Sequence, residues 1–364
     1  MKRICLVTGG TGGHIYPALA LADKLKQRDP DCEILFVGNE DRMEADLVPQ
    51  AGYAFRGLKT KGLEGSLFHK MQAGVEMVTA ISKAKKILRD FQPDIVCGFG
   101  GYVSAPLIMA ASQLHIPVVV HEQNSLAGKA NRLAARKADR IAICYDKARE
   151  AFDPEKTVFI GNPRGSVAVE SRGDRDYARS LGLDPARRTI LVMMGSLGSS
   201  TMNEVLAEAL SRPIDDLQFL VAAGKANSQD DSLFENRPDI ISVPYVDTLK
   251  IYPFIDGLVC RAGATTIAEI TALGLPAILV PSPYVANNHQ FYNASVLKQA
   301  GAAEMVEEKD VLKDPMILAR TIHGFFGSED ILKSARANAR KLGRPHAADD
   351  LADLLETTAE RSAR

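Results

Sequence analysis

Short apolar runs alternate with longer amphipathic segments along the whole chain. The short runs are apolar on both faces, which is typical of parallel strands covered by helices on both sides. Repeated units of strand and helix predict a doubly wound α/β fold. The predicted strands are residues 3–7, 33–37, 94–98, 117–121, 140–144, 157–160, 189–193, 218–222, 240–243, 257–260 and 277–280.

The two halves of the chain begin in the same way. The segments RICLVTGGTGGHIYPALALADKL and TILVMMGSLGSSTMNEVLAEAL each read as strand, glycine turn and helix. Glycine and proline interrupt the pattern at 161–165, where we expect the domain join. We therefore predict one domain over 1–163, a second over 164–343, and a helix over 344–364 that packs back on the first domain.

Composition limits the class of protein. The 364 residues suffice for two domains, and a net charge of -1 gives no overall attraction to nucleic acid. The five cysteines are scattered, which argues against a disulfide framework and fits a reducing compartment. The N-terminus lacks an apolar segment of signal-peptide length, and the uncharged stretch 95–113 contains glycines and a proline. We expect a cytoplasmic protein with peripheral membrane contact.

Three glycine-rich turns, at 9–13, 98–101 and 195–198, follow predicted strands. Such turns let backbone amides approach an anion, so they suggest a phosphate-rich ligand in a cleft between domains. The first turn fails as a dinucleotide fingerprint, because Ile15 stands where a glycine is needed, and it fails as a Walker A loop. The alternatives are a turn that simply needs small residues and, for Ser196, an ordinary N-cap.

A carboxylate follows a strand in the second half. Glu269 has the position to accept the hydroxyls of a ribose, but Thr266 and Glu269 also have the spacing of a capping box. Gln290 suits sugar hydroxyls, or begins a solvated helix together with His289. Metal and serine hydrolases are disfavoured, because Ser125 replaces the second histidine of H-E-x-x-H and G-x-S-x-G is absent from the sequence.

Six motifs in order carry a resemblance over most of the chain: GGTGGHIYPALALA, GGYVSAP, HEQNSLAGKAN, GNPRG, RAGATTIAEITALGLPAILVPSPY and NNHQFYNA. The chain resembles the MurG family of bacterial N-acetylglucosaminyltransferases. The resemblance implies the GT-B fold, two Rossmann-like doubly wound parallel-sheet domains facing across a cleft. It also implies inverting transfer of GlcNAc from UDP-GlcNAc to the C4 hydroxyl of MurNAc in lipid I. The products of this reaction are lipid II and UDP. The reaction is a step of cell-wall synthesis, which serves cell shape and division.

The resemblance assigns substrate positions in the first domain. Thr11, Gly12 and Gly13 match the junction of donor and acceptor sites, Asn124 matches a donor-sugar contact, and Arg164 matches a diphosphate contact. The expected contacts of the acceptor diphosphate are Gly10, Gly100, Gly101 and Tyr102.

In the second domain the resemblance assigns the residues that bind the nucleotide. Ser196 matches a diphosphate contact, Val246 a backbone contact to uracil, and Gln290 a sugar contact. Met194 and Leu197 depart from the glycine and the polar residue usual around this serine, and His289 replaces a common glutamine. The nucleoside turn, with Glu269 on the ribose, matches Ala264, Thr265, Thr266, Ile267, Ala268 and Glu269.

Inverting transfer requires a base for the acceptor hydroxyl. His14 is the first candidate and Glu122 the second, while the alternative for His14 is to bind the acceptor diphosphate as a donor. Arg164 and the Ser196 turn would stabilise the departing UDP, with no metal and no cofactor required. We expect UDP-GlcNAc and lipid I as binding partners, and we expect no binding of nucleic acid. Other proteins of cell-wall synthesis are compatible protein partners for a member of this family.

The segment 59–89 interleaves basic and apolar residues. Lys70, Lys83, Lys85, Lys86 and Arg89 suggest a surface for anionic lipid at the cytoplasmic face of the cell membrane. The alternative is a solvated helix face whose apolar side packs on the core. Other functions compatible with the residues are a UDP-sugar transferase with another acceptor, a nucleotide-sugar sensor without turnover and, disfavoured by the failed fingerprint, a nicotinamide oxidoreductase.

Overall fold

A computed structural model describes residues 1–60, 67–195, 199–224, 233–234 and 237–362, with the backbone alone for 67–75. The strands are β1 (Arg3–Val7), β2 (Glu33–Asn39), β3 (Ala54–Leu58), β4 (Ile95–Gly98), β5 (Val118–Glu122), β6 (Arg140–Ile143), β7 (Thr157–Phe159), β8 (Arg188–Met193), β9 (Leu217–Ala222), β10 (Ile240–Val243), β11 (Gly257–Cys260), β12 (Ala277–Leu279) and β13 (Ala303–Met305).

The helices follow the same order. They are α1 (Gly12–Arg28), α2 (Met43–Gln50), α3 (Leu67–Phe91), α4 (Ser104–Gln113), α5 (Lys129–Ala135), α6 (Arg164–Glu170), α7 (Arg175–Ser180), α8 (Ser200–Ala209), α9 (Thr248–Ile251), α10 (Ala264–Leu273), α11 (His289–Gln299), α12 (Glu308–Val311), α13 (Met316–Phe326), α14 (Glu329–Leu342) and α15 (Ala347–Ser362). Short 3-10 turns lie at Asp146–Ala151, Tyr252–Phe254 and Ala286–Asn288.

The chain divides into two compact units. The N-terminal unit comprises Met1–Ser166 and His346–Arg364, and the C-terminal unit comprises Val167–Pro345. The predicted divisions at 163/164 and 343/344 fall within a few residues of these points. Over the described part of the chain, no helix has both the length and the apolar character needed to cross a membrane.

Each unit contains one parallel sheet with a crossover in its strand order. The N-terminal unit has the order β3-β2-β1-β4-β5-β6-β7, and the C-terminal unit has β10-β9-β8-β11-β12-β13. In both sheets the order reverses beside the first strand, between β1 and β4 and between β8 and β11. Ligands of doubly wound sheets bind outside the carboxyl ends of the strands at this point. The predicted α/β fold is confirmed.

The central strands of the N-terminal sheet are buried on both faces, as their continuous apolar runs predict. Along β1, Cys5 and Val7 pack with residues of α3 and α4, while Ile4 and Leu6 pack with residues of α1 and α15. Side chains of successive strand residues point to opposite faces, so one apolar run supplies two cores.

The C-terminal helix α15 completes the second of these cores. Leu351, Ala352 and Leu355 are fully buried there, against the same face that α1 covers. At the margin, Arg28 of α1 donates a hydrogen bond to the Asp349 carboxylate at 2.8 Å. The backbone amide of Ala348 donates to the Ser166 hydroxyl at 3.0 Å, which ties α15 to the end of the first segment of this unit.

Candidate active site

The first glycine turn leads from β1 into α1. Gly10 has a left-handed backbone, with φ of 94°, and Thr11 is the N-cap of α1. Among the described residues no capping hydrogen bond is made by the Thr11 side chain, so this side chain does not occupy the amides of the first helical turn. Those amides, at Gly12 and Gly13, lie at the helix end that favours negative charge.

The second glycine turn packs directly on the first. A Cβ atom built on Gly101 would lie 2.5 Å from the carbonyl oxygen of Gly9, and Gly101 has a left-handed φ of 84°. No side chain fits at such a distance without moving backbone. The two turns therefore form one surface at the carboxyl ends of β1 and β4, where the strand order reverses.

A buried carboxylate lies beneath this surface. Glu44 of α2 is fully buried, and its Oε1 accepts hydrogen bonds from the backbone amide and the side-chain amide of Asn39, both at 2.9 Å. Its Oε2 accepts from the backbone amide of Gly10 at 3.2 Å. Glu44 therefore fixes the first glycine turn from the interior of the protein.

Two of the four residues predicted to contact the acceptor diphosphate have their backbone amides engaged by the chain itself. The Gly10 amide donates to Glu44, and the Gly100 amide donates to the Ser104 hydroxyl at 3.2 Å. This geometry weighs against both as anion donors, because intramolecular acceptors already receive their hydrogens. Gly101 and Tyr102 stay predictions, and the Tyr102 ring is 43% exposed beside the turn.

His14 lies in the first turn of α1 with one ring nitrogen fixed. Its Nδ1 is 2.9 Å from the carbonyl oxygen of Gly9, which can only accept a hydrogen bond. Nδ1 therefore carries the hydrogen, and in the neutral ring Nε2 carries the lone pair. A Cβ atom on Gly100 would lie 2.9 Å from Nε2, so this nitrogen lies against the second glycine turn.

Glu122, the second candidate base, is a buried loop anchor. Its Oε1 accepts from the Asn124 amide at 3.0 Å, and its Oε2 accepts from the Gly128 amide and from Asn131 Nδ2, each at 3.0 Å. With a relative exposure of 1% and donors on both oxygens, this carboxylate holds the loop that carries Asn124. The geometry favours His14 over Glu122 as the base.

A neutral histidine supports the same loops. His121 Nε2 lies 2.9 Å from the Gly161 carbonyl oxygen, and Gln123 Nε2 lies 3.0 Å from His121 Nδ1 and donates to the Phe99 carbonyl at 2.8 Å. Burial lowers the pKa of His121 to about 4, and the nearby His14 acts in the same direction, against the hydrogen bond to Gly161. His121 and Gln123 therefore join the ends of β4, β5 and β7 without adding charge.

Arg164 begins α6 and reaches the start of α1. Its guanidinium carbon lies 5.7 Å from the centroid of the Tyr16 ring, within the range of a cation–π contact. The Tyr16 ring covers Gly12, because a Cβ atom there would lie 2.9 Å from the ring edge. The cation predicted to contact a diphosphate is thus held beside the N-terminus of α1.

In the C-terminal unit, the loop after β11 leads into α10. This helix begins at Ala264 with Gly263 as its N-cap, so Thr266 and Glu269 lie inside the helix and the capping-box alternative is wrong. Thr265 presents a buried hydroxyl oxygen that has no hydrogen-bond partner among the described residues. A buried hydroxyl at a helix N-terminus suits an anionic or hydroxylated ligand.

Glu269 lies in the second turn of α10 and is 3% exposed. Its Oε2 accepts a hydrogen bond from the Tyr252 hydroxyl at 2.6 Å. Val246, predicted to contact uracil through its backbone, is buried. The predicted ribose and base positions thus both lie in the C-terminal unit.

An ion pair holds the turns of the C-terminal unit together. Arg261 donates to the Glu308 carboxylate at 2.5 Å and to the carbonyl oxygens of Val280 at 3.1 Å and Met194 at 3.4 Å. These contacts join the ends of β8, β11 and β12. Met194, one of the two departures from the family pattern, is buried here, while Ser196 and Leu197 lie outside the described residues.

Gln290 and His289 begin α11 and contact the preceding loop. Gln290 Oε1 accepts from the Ser282 amide at 2.9 Å, and His289 Nδ1 lies 2.9 Å from the Ala286 carbonyl oxygen. The Gln290 side-chain oxygen is thus engaged by the chain, and the sugar contact at this residue stays a prediction.

Four residues with clear positions in these sites had no role in the sequence analysis: Tyr16, Glu44, Tyr252 and Arg261. Each acts through a partner remote in sequence or through a helix packed on the turn, so spacing gave no signal for it. Among the described residues no group of three or more His, Cys, Asp or Glu is placed to hold a metal ion.

Comparison with known proteins identifies the family. Residues 4–143 match the glycosyltransferase family 28 N-terminal domain, and residues 189–351 match the glycosyltransferase family 28 C-terminal domain. A UDP-N-acetylglucosamine–N-acetylmuramyl-(pentapeptide) pyrophosphoryl-undecaprenol N-acetylglucosamine transferase from Lactiplantibacillus plantarum is 40% identical, over 98% of this chain and 99% of the relative. The protein of the same name from Listeria monocytogenes is 41% identical, over 97% and 98%.

Solved structures agree with this assignment. The crystal structure of Acinetobacter baumannii MurG matches with a TM-score of 0.80 and 26% identity, over 98% of this chain and all of that one (100%). A UDP-GlcNAc 2-epimerase from Neisseria meningitidis matches with a TM-score of 0.67 at 13% identity, over 98% and 100%, which shows the shared fold alone. With its two parallel-sheet α/β units of the GT-B fold, the chain belongs to the MurG family of UDP-GlcNAc-dependent glycosyltransferases.

Proposed function

We propose that this chain transfers GlcNAc from UDP-GlcNAc to the C4 hydroxyl of MurNAc in lipid I, with inversion, to give lipid II and UDP. The observation that carries the proposal is the identity of 40% over nearly the whole length to relatives whose name states this transfer. The sites of both units support it, because each has glycine turns and a helix N-terminus at the point where its sheet reverses order.

His14 is the proposed base. The bond to Gly9 places the hydrogen on Nδ1, so Nε2 is the atom that accepts the proton of the C4 hydroxyl. The C4 oxygen then forms the new bond to C1 of GlcNAc, while the bond from C1 to the diphosphate oxygen breaks and its electron pair leaves with UDP. The alternative role, donation to the acceptor diphosphate, would require the ring to be protonated on both nitrogens.

Glu122 contributes by holding its loop. The hydrogen bonds that it accepts from the Asn124 and Gly128 amides fix the loop that carries Asn124, the proposed donor-sugar contact. The Asn124 side chain also lies 3.4 Å from Glu122 Oε1. We therefore assign Glu122 to positioning and His14 to proton transfer.

The departing UDP is stabilised by charge and amides. Arg164, oriented by Tyr16, is the proposed diphosphate contact of the N-terminal unit, and Ser196 that of the C-terminal unit. Thr265 and the first turn of α10 offer further hydrogen-bond donors. For the rest of the donor substrate, we propose that Val246 binds uracil, Glu269 binds the ribose and Gln290 binds the GlcNAc sugar. Charge stabilisation of this kind needs only groups held in place before the reaction, and we propose that no cofactor is required.

The basic helix α3 is proposed to bring the enzyme to the cytoplasmic face of the cell membrane. Ala80, Ala84 and Leu88 are buried against the core, so one side of the described half of α3 belongs to the fold. Lys83 and Lys86 are exposed on the other side, and Val78 is 68% exposed. A row of basic side chains with an exposed apolar residue suits an anionic lipid surface. Residues 61–66 of the predicted segment lie outside the described residues.

The test is the product mass after the protein is mixed with UDP-GlcNAc and a short-chain lipid I analogue. We expect a gain of one N-acetylhexosamine and release of one UDP per product. A His14→Ala variant that binds UDP-GlcNAc normally is the matched control for chemistry as opposed to binding. Tight binding of UDP-GlcNAc without any product from the wild-type protein would redirect the proposal to another acceptor or to a sensor.

A further inference from the structure

Tyr252 and Glu269 form a buried pair in the C-terminal unit. The phenol oxygen lies 2.6 Å from Glu269 Oε2, and the two residues are 2% and 3% exposed. A buried carboxylate is costly unless donors compensate for its lost hydration. Tyr252 supplies such a donor to Oε2 and brings no positive charge to the pair.

The phenol is restricted to the role of donor. Burial raises the pKa of Tyr252 well above its usual range, and the charge of Glu269 raises it further. Tyr252 therefore stays protonated, and its one hydrogen is directed at Oε2. A carboxylate has two oxygens with two lone pairs each, and the hydrogen bond from Tyr252 takes one lone pair of Oε2.

The segment that carries Tyr252 is itself held in place. The Ser171 hydroxyl donates to the Leu249 carbonyl at 2.7 Å, and the Asp174 amide donates to the Lys250 carbonyl at 2.9 Å. The Asp247 amide donates to the Tyr177 hydroxyl at 3.0 Å. These bonds hold α9 in place just before Tyr252, so the backbone that carries the phenol has a fixed position relative to Glu269.

We propose that Tyr252 is a positioning residue that orients the Glu269 carboxylate toward the ribose hydroxyls of UDP, and that it thereby sets the preference for ribonucleotide over 2′-deoxyribonucleotide. This inference rests on the proposed function, in which Glu269 binds the ribose. Two neighbouring hydroxyls can share one carboxylate only when its plane is fixed, because hydrogen bonds are directional. Loss of the phenol hydroxyl removes the donor that holds Oε2 and weakens the contact that distinguishes the two sugars.

The experiment measures the dissociation constants of UDP and 2′-deoxy-UDP by calorimetry. The variants are Tyr252→Phe, Glu269→Gln and, as a matched control, Tyr53→Phe. Tyr53→Phe loses a phenol hydroxyl that also donates to a carboxylate at 2.6 Å, that of Asp23, but it lies in the N-terminal unit. We expect the wild-type protein to prefer UDP about tenfold, and Tyr252→Phe to lower this preference about three- to tenfold, toward that of Glu269→Gln. Tyr53→Phe should keep the wild-type ratio.

Kinetics give a second readout. Tyr252→Phe should raise the KM for UDP-GlcNAc by about the same three- to tenfold and leave kcat within about twofold, because the ribose contact is made before and during the reaction. If Tyr252→Phe is too unstable to assay, Thr248→Val replaces it. The Thr248 side chain hydrogen-bonds the Tyr252 phenol, so a smaller fall of the same ratio is expected.

The outcomes separate the two proposals. A wild-type protein that binds UDP and 2′-deoxy-UDP equally, with no effect of Glu269→Gln, would remove the ribose role from Glu269 and with it the basis of the inference. If the wild type discriminates and Glu269→Gln does not, an unchanged ratio in Tyr252→Phe or in its replacement overturns the inference alone. An equal loss of affinity for both nucleotides also overturns it, because it would show a structural role only.

Discussion

The guanidinium group of Arg164 lies over the ring of Tyr16, 5.7 Å from its centroid, and that ring covers Gly12 at the start of α1. A long, flexible cation is thus held close to the helix end where an anion is favoured. The energy of a partly exposed cation–π contact is about 0.5–1 kcal/mol. Its larger effect is to restrict the rotamers of Arg164 before a diphosphate arrives.

Replacement of Tyr16 tests this orientation. Tyr16→Leu should lower kcat about two- to fivefold, corresponding to loss of the cation–π contact, while Tyr16→Phe keeps the ring and should stay near the wild-type rate. Initial rates with both substrates saturating provide the measurement. Equal losses in the two variants would point to the tyrosine hydroxyl and contradict the stacking argument.

Replacement of His14 separates its two possible roles. If Nε2 is the base, His14→Gln should lower kcat about 10²- to 10⁴-fold and leave the KM values little changed. If His14 instead holds the acceptor diphosphate, the KM for lipid I should rise and kcat should survive. His323→Gln, at an exposed position of α13 in the other unit, is the matched control and should retain full activity.

The buried His121 predicts a dependence of stability on pH. Its folded pKa of about 4 lies below the value of about 6.5 for an unfolded histidine, so the unfolded chain binds the extra proton between these values. The contribution of His121 is fully present above about pH 6.5 and is lost as the pH falls toward 4, by roughly 3 kcal/mol in total. Urea unfolding at pH 7.5 and 5.0 should show a smaller loss for His121→Gln than for the wild type.

Two glycines with left-handed backbone provide a controlled test of the contact between the glycine turns. Gly101→Ala adds a Cβ atom 2.5 Å from the Gly9 carbonyl oxygen, whereas Gly52→Ala, with a φ of 85°, adds one with nothing within 4 Å. Gly52→Ala should cost only the left-handed penalty of about 1–2 kcal/mol. Gly101→Ala should cost clearly more in unfolding free energy and should also reduce activity. Equal costs would show that the turns separate easily.

The basic face of α3 predicts membrane binding that depends on charge. Reversal of Lys83, Lys85 and Lys86 to glutamate should weaken binding to anionic vesicles by at least 100-fold, at about 1 kcal/mol for each basic residue removed. Sedimentation with vesicles of anionic lipid provides the measurement. The matched control reverses Lys313, Lys333 and Lys341, which are exposed in the C-terminal unit. Unchanged binding of the α3 variant would leave only the packing role of this helix.

The strands were predictable because most of them are buried on both faces. Each predicted strand is present, with its ends shifted by two residues at most. The pattern did not reveal β3 and β13, which are edge strands of their sheets. Most of β3 is exposed or half-buried and β13 contains a glutamate, so neither reads as a continuous apolar run.

The partners of the site residues were less predictable than their positions. The glycine turns marked the sites, but the amides of Gly10 and Gly100 are occupied by Glu44 and Ser104, which only the packed structure shows. The spacing of Thr266 and Glu269 suggested a capping box, although the helix starts earlier. A capping motif is local, whereas the bond from Tyr252 to Glu269 depends on two segments brought together by the sheet.

The position of α15 has a consequence for how the protein folds during synthesis. The face of the first sheet that holds Ile4 and Leu6 is covered by α1 and by Leu351, Ala352 and Leu355 of α15. A ribosome must therefore translate the entire C-terminal unit before the earlier unit can close its core. Until then a patch of apolar surface stays open on the nascent chain. The C-terminal unit is continuous in sequence, so its own core can be completed before α15 closes the core of the N-terminal unit.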